Sequence, residues 1–225
     1  LTNASGNFVI TDFANFGGGG TINLINNNLQ ITTTGDASMV SSVTINTTGA
    51  GRFAINGQLR CFEYQLFGTS PLDLTGSLWT TNIYGLSATG TFALTGTTTL
   101  LPNSTVLYTR TGEDQQLTGR TDYNNIYIGG GGTKTVSGNA VLAGTLQLDN
   151  GLVRTGTAYG YGTLTISATG GSWPATDASF VTGPLTKIGN TGFIFPIGKP
   201  ITSGPAAQGT PTVGGPRPMT IAHNG

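Results

Sequence analysis

The phrase Gly51-Arg52-Phe53-Ala54-Ile55-Asn56-Gly57 returns, altered, as Gly90-Thr91-Phe92-Ala93-Leu94-Thr95-Gly96 and again as Gly138-Asn139-Ala140-Val141-Leu142-Ala143-Gly144. In each, a three-residue apolar run sits between glycines, and the starts at Gly51, Gly90 and Gly138 are separated by similar but unequal intervals. A small unit used repeatedly buries its apolar face only against its neighbours, so this repetition predicts a stack of coils. With a coil of about 20 to 25 residues, each interval spans two coils. The inward positions are then either the middle residue of each triplet or its outer pair.

Composition limits the coils to strand. Charged residues are 8% of the 225, against about 25% in an ordinary soluble domain, and Gly reaches 37. The surface residues that sustain helices are scarce, whereas Thr favours strands and Asn and Gly favour turns. Short apolar runs such as Ile126-Tyr127-Ile128 and Leu146-Gln147-Leu148 recur along most of the length, which argues against a disordered linker. Turn signals separate them, including Gly17 to Gly20, Asn26 to Asn28, Gly129 to Gly132 and Asp149-Asn150-Gly151. Strands this short fit a β-solenoid better than a sandwich. Asn and Thr at equivalent turn positions are expected to form hydrogen-bonded ladders between coils.

Eight of the ten prolines lie between Pro174 and Pro218. That texture predicts an all-β chain in two parts: a parallel, right-handed β-helix over residues 1–180, then a Pro-rich segment over 181–225. The second part is expected to cap the first, to link it onward, or to be an incomplete β module. Its apolar run Phe193, Ile194, Phe195, Pro196 and Ile197 is the candidate assembly segment, since an open solenoid end invites a strand from another copy.

Ser104-Thr105-Val106-Leu107-Tyr108, Gln115-Gln116-Leu117, Tyr123 to Ile128, Gly132-Thr133-Lys134-Thr135-Val136-Ser137-Gly138 and Gly144 to Leu148 form a characteristic succession. It is followed by Val181 to Asn190, Phe193 to Lys199 and Arg217 to Ile221. Over about residues 88 to 221 this order resembles the very large secreted β-helical surface proteins of Bacteroidetes-type bacteria, cargo of the type IX secretion system. The resemblance implies an extracellular or cell-surface structural protein, often adhesive, with no catalytic residues to carry over. The sequence begins without a leader and stops soon after Ile221, as expected of part of a longer chain.

The chemical inventory is thin. Cys61 and His223 are the single cysteine and histidine, so neither a thiolate zinc site nor a supported nucleophile-histidine pair is expected. Cys61 reads as a small buried apolar residue. Of the nine acids only Glu113 and Asp114, with Asp122 nearby, approach a group, and a solvated turn between Arg110 and Arg120 accounts for them. Asp149-Asn150-Gly151 is a turn signal before it is a calcium ligand. No cofactor is implied. The net charge of +0 leaves no footprint for nucleic acid, and no apolar window is long enough for membrane insertion. The threonine clusters Thr32 to Thr34 and Thr97 to Thr99 are too irregular for an ice-ordering array.

Aromatic residues are the best binding candidates. Tyr123, Tyr127, Tyr159 and Tyr161 are the candidates for contact with surface glycans or a partner, with Tyr159 and Tyr161 on one side of a strand, although covering the solenoid surface or its ends is the reading the sequence favours for them. The functional expectation is a non-enzymatic structural or adhesive protein that displays parts away from the cell or assembles head to tail. The rival expectation is a carbohydrate-binding or polysaccharide-cleaving β-helix.

Overall fold

The computed structural model describes residues 7–10, 15–16, 21–25, 28–31, 37–39, 43–49, 51–61, 66–87, 90, 92–199 and 219–221. The chain divides into two compact units, Leu1–Arg110 and Thr111–Gly225, here unit 1 and unit 2. Both are built from short strands joined by corners, and the fold is a parallel β-solenoid.

Unit 1 opens with β1 (Asn7–Ile10), β2 (Asn15–Phe16), β3 (Thr21–Ile25), β4 (Asn28–Ile31), β5 (Ala37–Met39), β6 (Val43–Thr48) and β7 (Arg52–Ile55). It continues with β8 (Gln58–Cys61), β9 (Leu66–Gly68), β10 (Leu72–Leu74), β11 (Ser77–Thr80), β12 (Phe92–Leu94), β13 (Thr98–Leu100) and β14 (Thr105–Tyr108). Every third strand falls in the same sheet, giving β1-β4-β7-β10-β13, β2-β5-β8-β11-β14 and β3-β6-β9-β12. Each coil therefore contributes one strand to each of three sides, and neighbouring strands run parallel.

Unit 2 contains β15 (Gln115–Thr118), β16 (Asn125–Ile128), β17 (Thr133–Ser137), β18 (Asn139–Leu142), β19 (Thr145–Leu148) and β20 (Gly151–Arg154). A 3-10 turn, Thr157–Tyr159, precedes β21 (Thr163–Ile166), β22 (Gly171–Ser172), β23 (Ser179–Thr182), β24 (Leu185–Lys187), β25 (Phe193–Phe195) and β26 (Met219–Ile221). Its parallel sheets are β15-β17-β20-β23, β16-β19-β22 and β18-β21-β24, while β25 and β26 pair antiparallel. Parallel pairing extends beyond residue 180, through β24 and a bridge from Val181 to Ile197. Among the described residues no helix is long and apolar enough to cross a membrane.

Alternation decides which side chains face inward. Phe53 and Ile55 are fully buried around half-buried Ala54, Phe92 and Leu94 flank Ala93 likewise, and Ala140 and Leu142 flank Val141. The outer pair of each triplet is thus the inward pair. Stacking in register turns these pairs into continuous apolar lanes, such as Ile31, Ile55, Leu74 and Leu100 on one side of unit 1. Each fully buried Leu or Ile contributes about 1.5–3 kcal/mol. Cys61 lies in a lane with Thr80 and Tyr108, is 1% exposed, and burial pushes its thiol well above the usual range.

The repeated phrases do not occupy equivalent places. Phe53 to Ile55 belongs to the β1-β4-β7 side, Phe92 to Leu94 to the β3-β6-β9 side, and Ala140 to Leu142 to a sheet of unit 2. The interval from Gly51 to Gly90 is therefore not two coils. All three sides need the same in-out-in triplet bounded by tight corners, so the visible repeat is one strand with its corners. Coil lengths vary around it: Phe53 meets its partner in the next coil at Leu72, whereas the chain leaving Val153 makes a much longer circuit before Val181 pairs with it.

Corners carry the expected Asn and Thr contacts as pairs between adjacent coils. Thr75 Oγ1 donates to Asn56 Oδ1 at 2.6 Å, Thr163 Oγ1 to Asn139 Oδ1 at 2.9 Å, and the Thr145 N–H to Asn125 Oδ1 at 2.9 Å. The Thr69 N–H donates to Asn46 Oδ1 at 3.3 Å. In each the asparagine of one coil accepts from the threonine of the next. Glycine beside the threonine permits this approach. A Cβ on Gly68 would lie 2.1 Å from the Ile45 carbonyl oxygen, and one on Gly162 would lie 1.8 Å from that of Gly138.

Candidate functional site

Ile126 and Ile128 are fully buried, so the intervening Tyr127 points outward from β16. Register places Gln147 of β19 beside it, and the Trp173 N–H donates to the Leu146 carbonyl one coil further on. Tyr127, Gln147 and Trp173 thus stand in sequence along one outer lane. The Tyr127 and Trp173 rings meet edge to face, with centroids 6.4 Å apart and planes at 86°. The Tyr127 hydroxyl donates to Asp149 Oδ2 at 2.6 Å, which fixes the orientation of the ring. Trp173 remains 42% exposed.

Burial, and then the bond to the Asp149 carboxylate and its charge, push the Tyr127 phenol up to about 12. A raised value means that the fold favours the protonated phenol. Its stabilising contribution is complete below the ordinary tyrosine value of about 10 and is lost as pH rises through the folded value. The difference between the phenolate absorbance titrations of the parent and of Tyr127→Phe isolates this group; its step is expected above the ordinary tyrosine value, and Asp149→Asn is expected to move it part of the way down. A Tyr127 titration unchanged by Asp149→Asn would disprove the carboxylate's role.

The other tyrosines do not join this lane. Tyr123 is 1% exposed, bridges to Leu142 and donates its hydroxyl to the Thr118 carbonyl at 2.8 Å, so it is a core residue. The Asn124-Asn125 corner separates it from Tyr127 and turns the two rings to opposite sides. Tyr161 lies 5.6 Å from the Arg154 guanidinium. The side chain of Tyr159 lies outside the described residues. Alternation does not align Tyr159 with Tyr161, because a 3-10 turn and left-handed Gly160 (φ 75°) replace the expected strand.

Asp114 and Asp122, of the acidic candidates, serve structure. Asp122 forms a bidentate pair with Arg120, and Asp114 Oδ1 accepts from the Thr133 N–H at 3.1 Å. Asp73 accepts two bonds from Arg52 across β7 and β10. Among the described residues no three His, Cys, Asp or Glu side chains gather to hold a metal. Asp12, Asp36, Glu63, His223 and the Thr32 to Thr34 cluster lie outside the described residues.

The assembly candidate is engaged within its own chain. Phe193, Ile194 and Phe195 pair with Ile221, Thr220 and Met219, and the Val181 N–H donates to the Pro196 carbonyl at 2.8 Å. Ile197 bridges to Val181, and the Gly198 N–H donates to the Val181 carbonyl at 3.0 Å. The segment therefore lies against β23 of its own chain.

Two residues were not singled out by sequence reasoning. Trp173 lies two coils beyond Tyr127, but the step from Ile126 to Leu146 is shorter than the step from Leu146 to Ser172, so no constant period marks it. Lys134 is fully buried in the inward lane of Gln115, Val153 and Val181, and its Nζ donates to the Gly131 carbonyl at 2.6 Å. Its place beside Val136 in the alternation was the available signal. The amine pins the turn in which Gly130, Gly131 and Gly132 are all left-handed. Comparison with protein-family models, curated proteins and solved structures finds no match.

Proposed function

We propose that this chain is a non-enzymatic structural or adhesive element of a bacterial cell surface or an extracellular fibre, its stacked coils holding interacting faces in place. The supporting observation is the way each unit is tied: three parallel sheets and inward apolar lanes join its described coils, and corner bonds reinforce several of the joins. Function in such a body resides on outer faces, because the interior of the described coils is closely filled, mostly with Leu, Ile, Val and Phe. A charged fraction of 8% supports close association with other surfaces, since little self-repulsion opposes it. Donation of Phe193 to Ile197 to a second copy requires their bonds within the chain to open first.

Antibody labelling of intact and broken cells of the source organism tests this reading. Labelling of intact cells is the expected result, and labelling confined to broken cells would refute it. Release of reducing ends from polysaccharides by the purified protein would favour the cleaving alternative instead.

A further inference from the structure

We infer that the Tyr127 and Trp173 corner on the outer face of β16 and β19 is a binding site for the neutral pyranose rings of a glycan. The rings stand at 86° to each other, so one offers a flat face to the apolar C–H side of a sugar while the other forms a wall beside it. The Tyr127 ring is already oriented by its bond to Asp149, so binding does not have to order that side chain. Hydrogen-bonding groups lie where sugar hydroxyls need them. Asp149 is exposed on one flank, and register places Gln147 on the middle coil between the strand positions of the two aromatic residues.

Charge selects the class of ligand. A carboxylate accepts hydroxyl donors strongly but repels the carboxylate of an acidic sugar, so the site favours neutral units. Contrast with Trp79 supports the assignment: its ring is covered by the Arg60 guanidinium at 3.9 Å, whereas Trp173 is 42% exposed. Binding is also the chemistry that the groups on this face support. Hydrolysis of a glycosidic bond requires two carboxyl groups at a set separation, and the carboxylate in contact with Tyr127 is Asp149. The inference stands apart from the scaffold reading, which depends on how the coils are tied and where the protein resides.

Calorimetric titration of the purified protein with cellohexaose, maltohexaose, xylohexaose, chitohexaose and trigalacturonate tests the site. At least one neutral oligosaccharide is expected to bind with a dissociation constant below about 1 mM, and Trp173→Ala to weaken it at least about tenfold. Tyr127→Phe, which keeps the ring but frees Asp149, is expected to weaken it less, and Trp79→Phe to leave it unchanged. Far-UV circular dichroism of each variant checks the fold. The inference is overturned if none of the four neutral sugars binds, if trigalacturonate binds as tightly as the best of them, or if folded Trp173→Ala binds like the parent protein.

Discussion

Replacing Gly68 with alanine is expected to lower the stability of unit 1 by about 2–4 kcal/mol. Two costs coincide at this corner. Gly68 has a φ of 126°, a conformation that side chains with a Cβ rarely adopt, and its Cβ would sit 2.1 Å from the Ile45 carbonyl oxygen and 2.7 Å from the Ile45 carbonyl carbon. Neither neighbour can move aside as a flexible side chain would, because both are backbone of the preceding coil. Opening that gap also pulls Thr69 away from Asn46. Gly171→Ala is the matched control, since a Cβ there meets nothing within 4 Å. Its effect is expected to be neutral or a gain of up to about 1 kcal/mol from the stiffer unfolded chain. Urea unfolding followed by far-UV circular dichroism compares the two, with midpoints as the measure because stacked units need not unfold in one step. Equal midpoints for Gly68→Ala and the parent would mean that the coils do not approach this closely.

Tyr123→Ala is expected to cost unit 2 about 3–5 kcal/mol, the range for emptying a large buried aromatic site. Tyr123→Phe keeps the ring and removes the donor to the Thr118 carbonyl, for an expected loss of about 1–2 kcal/mol. Tyr127→Ala, by contrast, is expected to shift stability by less than about 1 kcal/mol, since that ring lies on an outer face. The ordering of these three variants separates a core tyrosine from a surface tyrosine in the neighbouring strand. Similar midpoints for Tyr123→Ala and Tyr127→Ala would refute the inward placement of Tyr123.

That contrast shows where sequence reasoning succeeded and where it stopped. In-out alternation in Ile126-Tyr127-Ile128 is readable because strand geometry acts locally, but whether the middle residue or the outer pair faces inward is decided only by the burial of Ile126 and Ile128, which leaves Tyr127 outside. Tyr123 was not placed correctly because the corner at Asn124 and Asn125 moves the chain from one side of the solenoid to another and restarts the alternation. Tyr159 and Tyr161 illustrate the same limit, since the left-handed Gly160 breaks the strand on which the expected alignment relied. Phe193 to Ile197 was recognised as a segment seeking a sheet, but the sheet it finds belongs to its own chain.

By itself the sequence determined the class of local structure. Few charges, abundant Thr, Asn and Gly, and short apolar triplets leave strand and corner as the forms this chain can take, and they require stacking to bury the triplets. Tertiary structure alone decided which residues meet. Because the coils differ in length, the partner of a given position is set by how each corner closes against the backbone beneath it, and no constant spacing encodes that. Trp173 reaches Tyr127, and Lys134 enters the core above Gln115, because register between coils is fixed by long-range hydrogen bonds and packing, which a local pattern cannot specify.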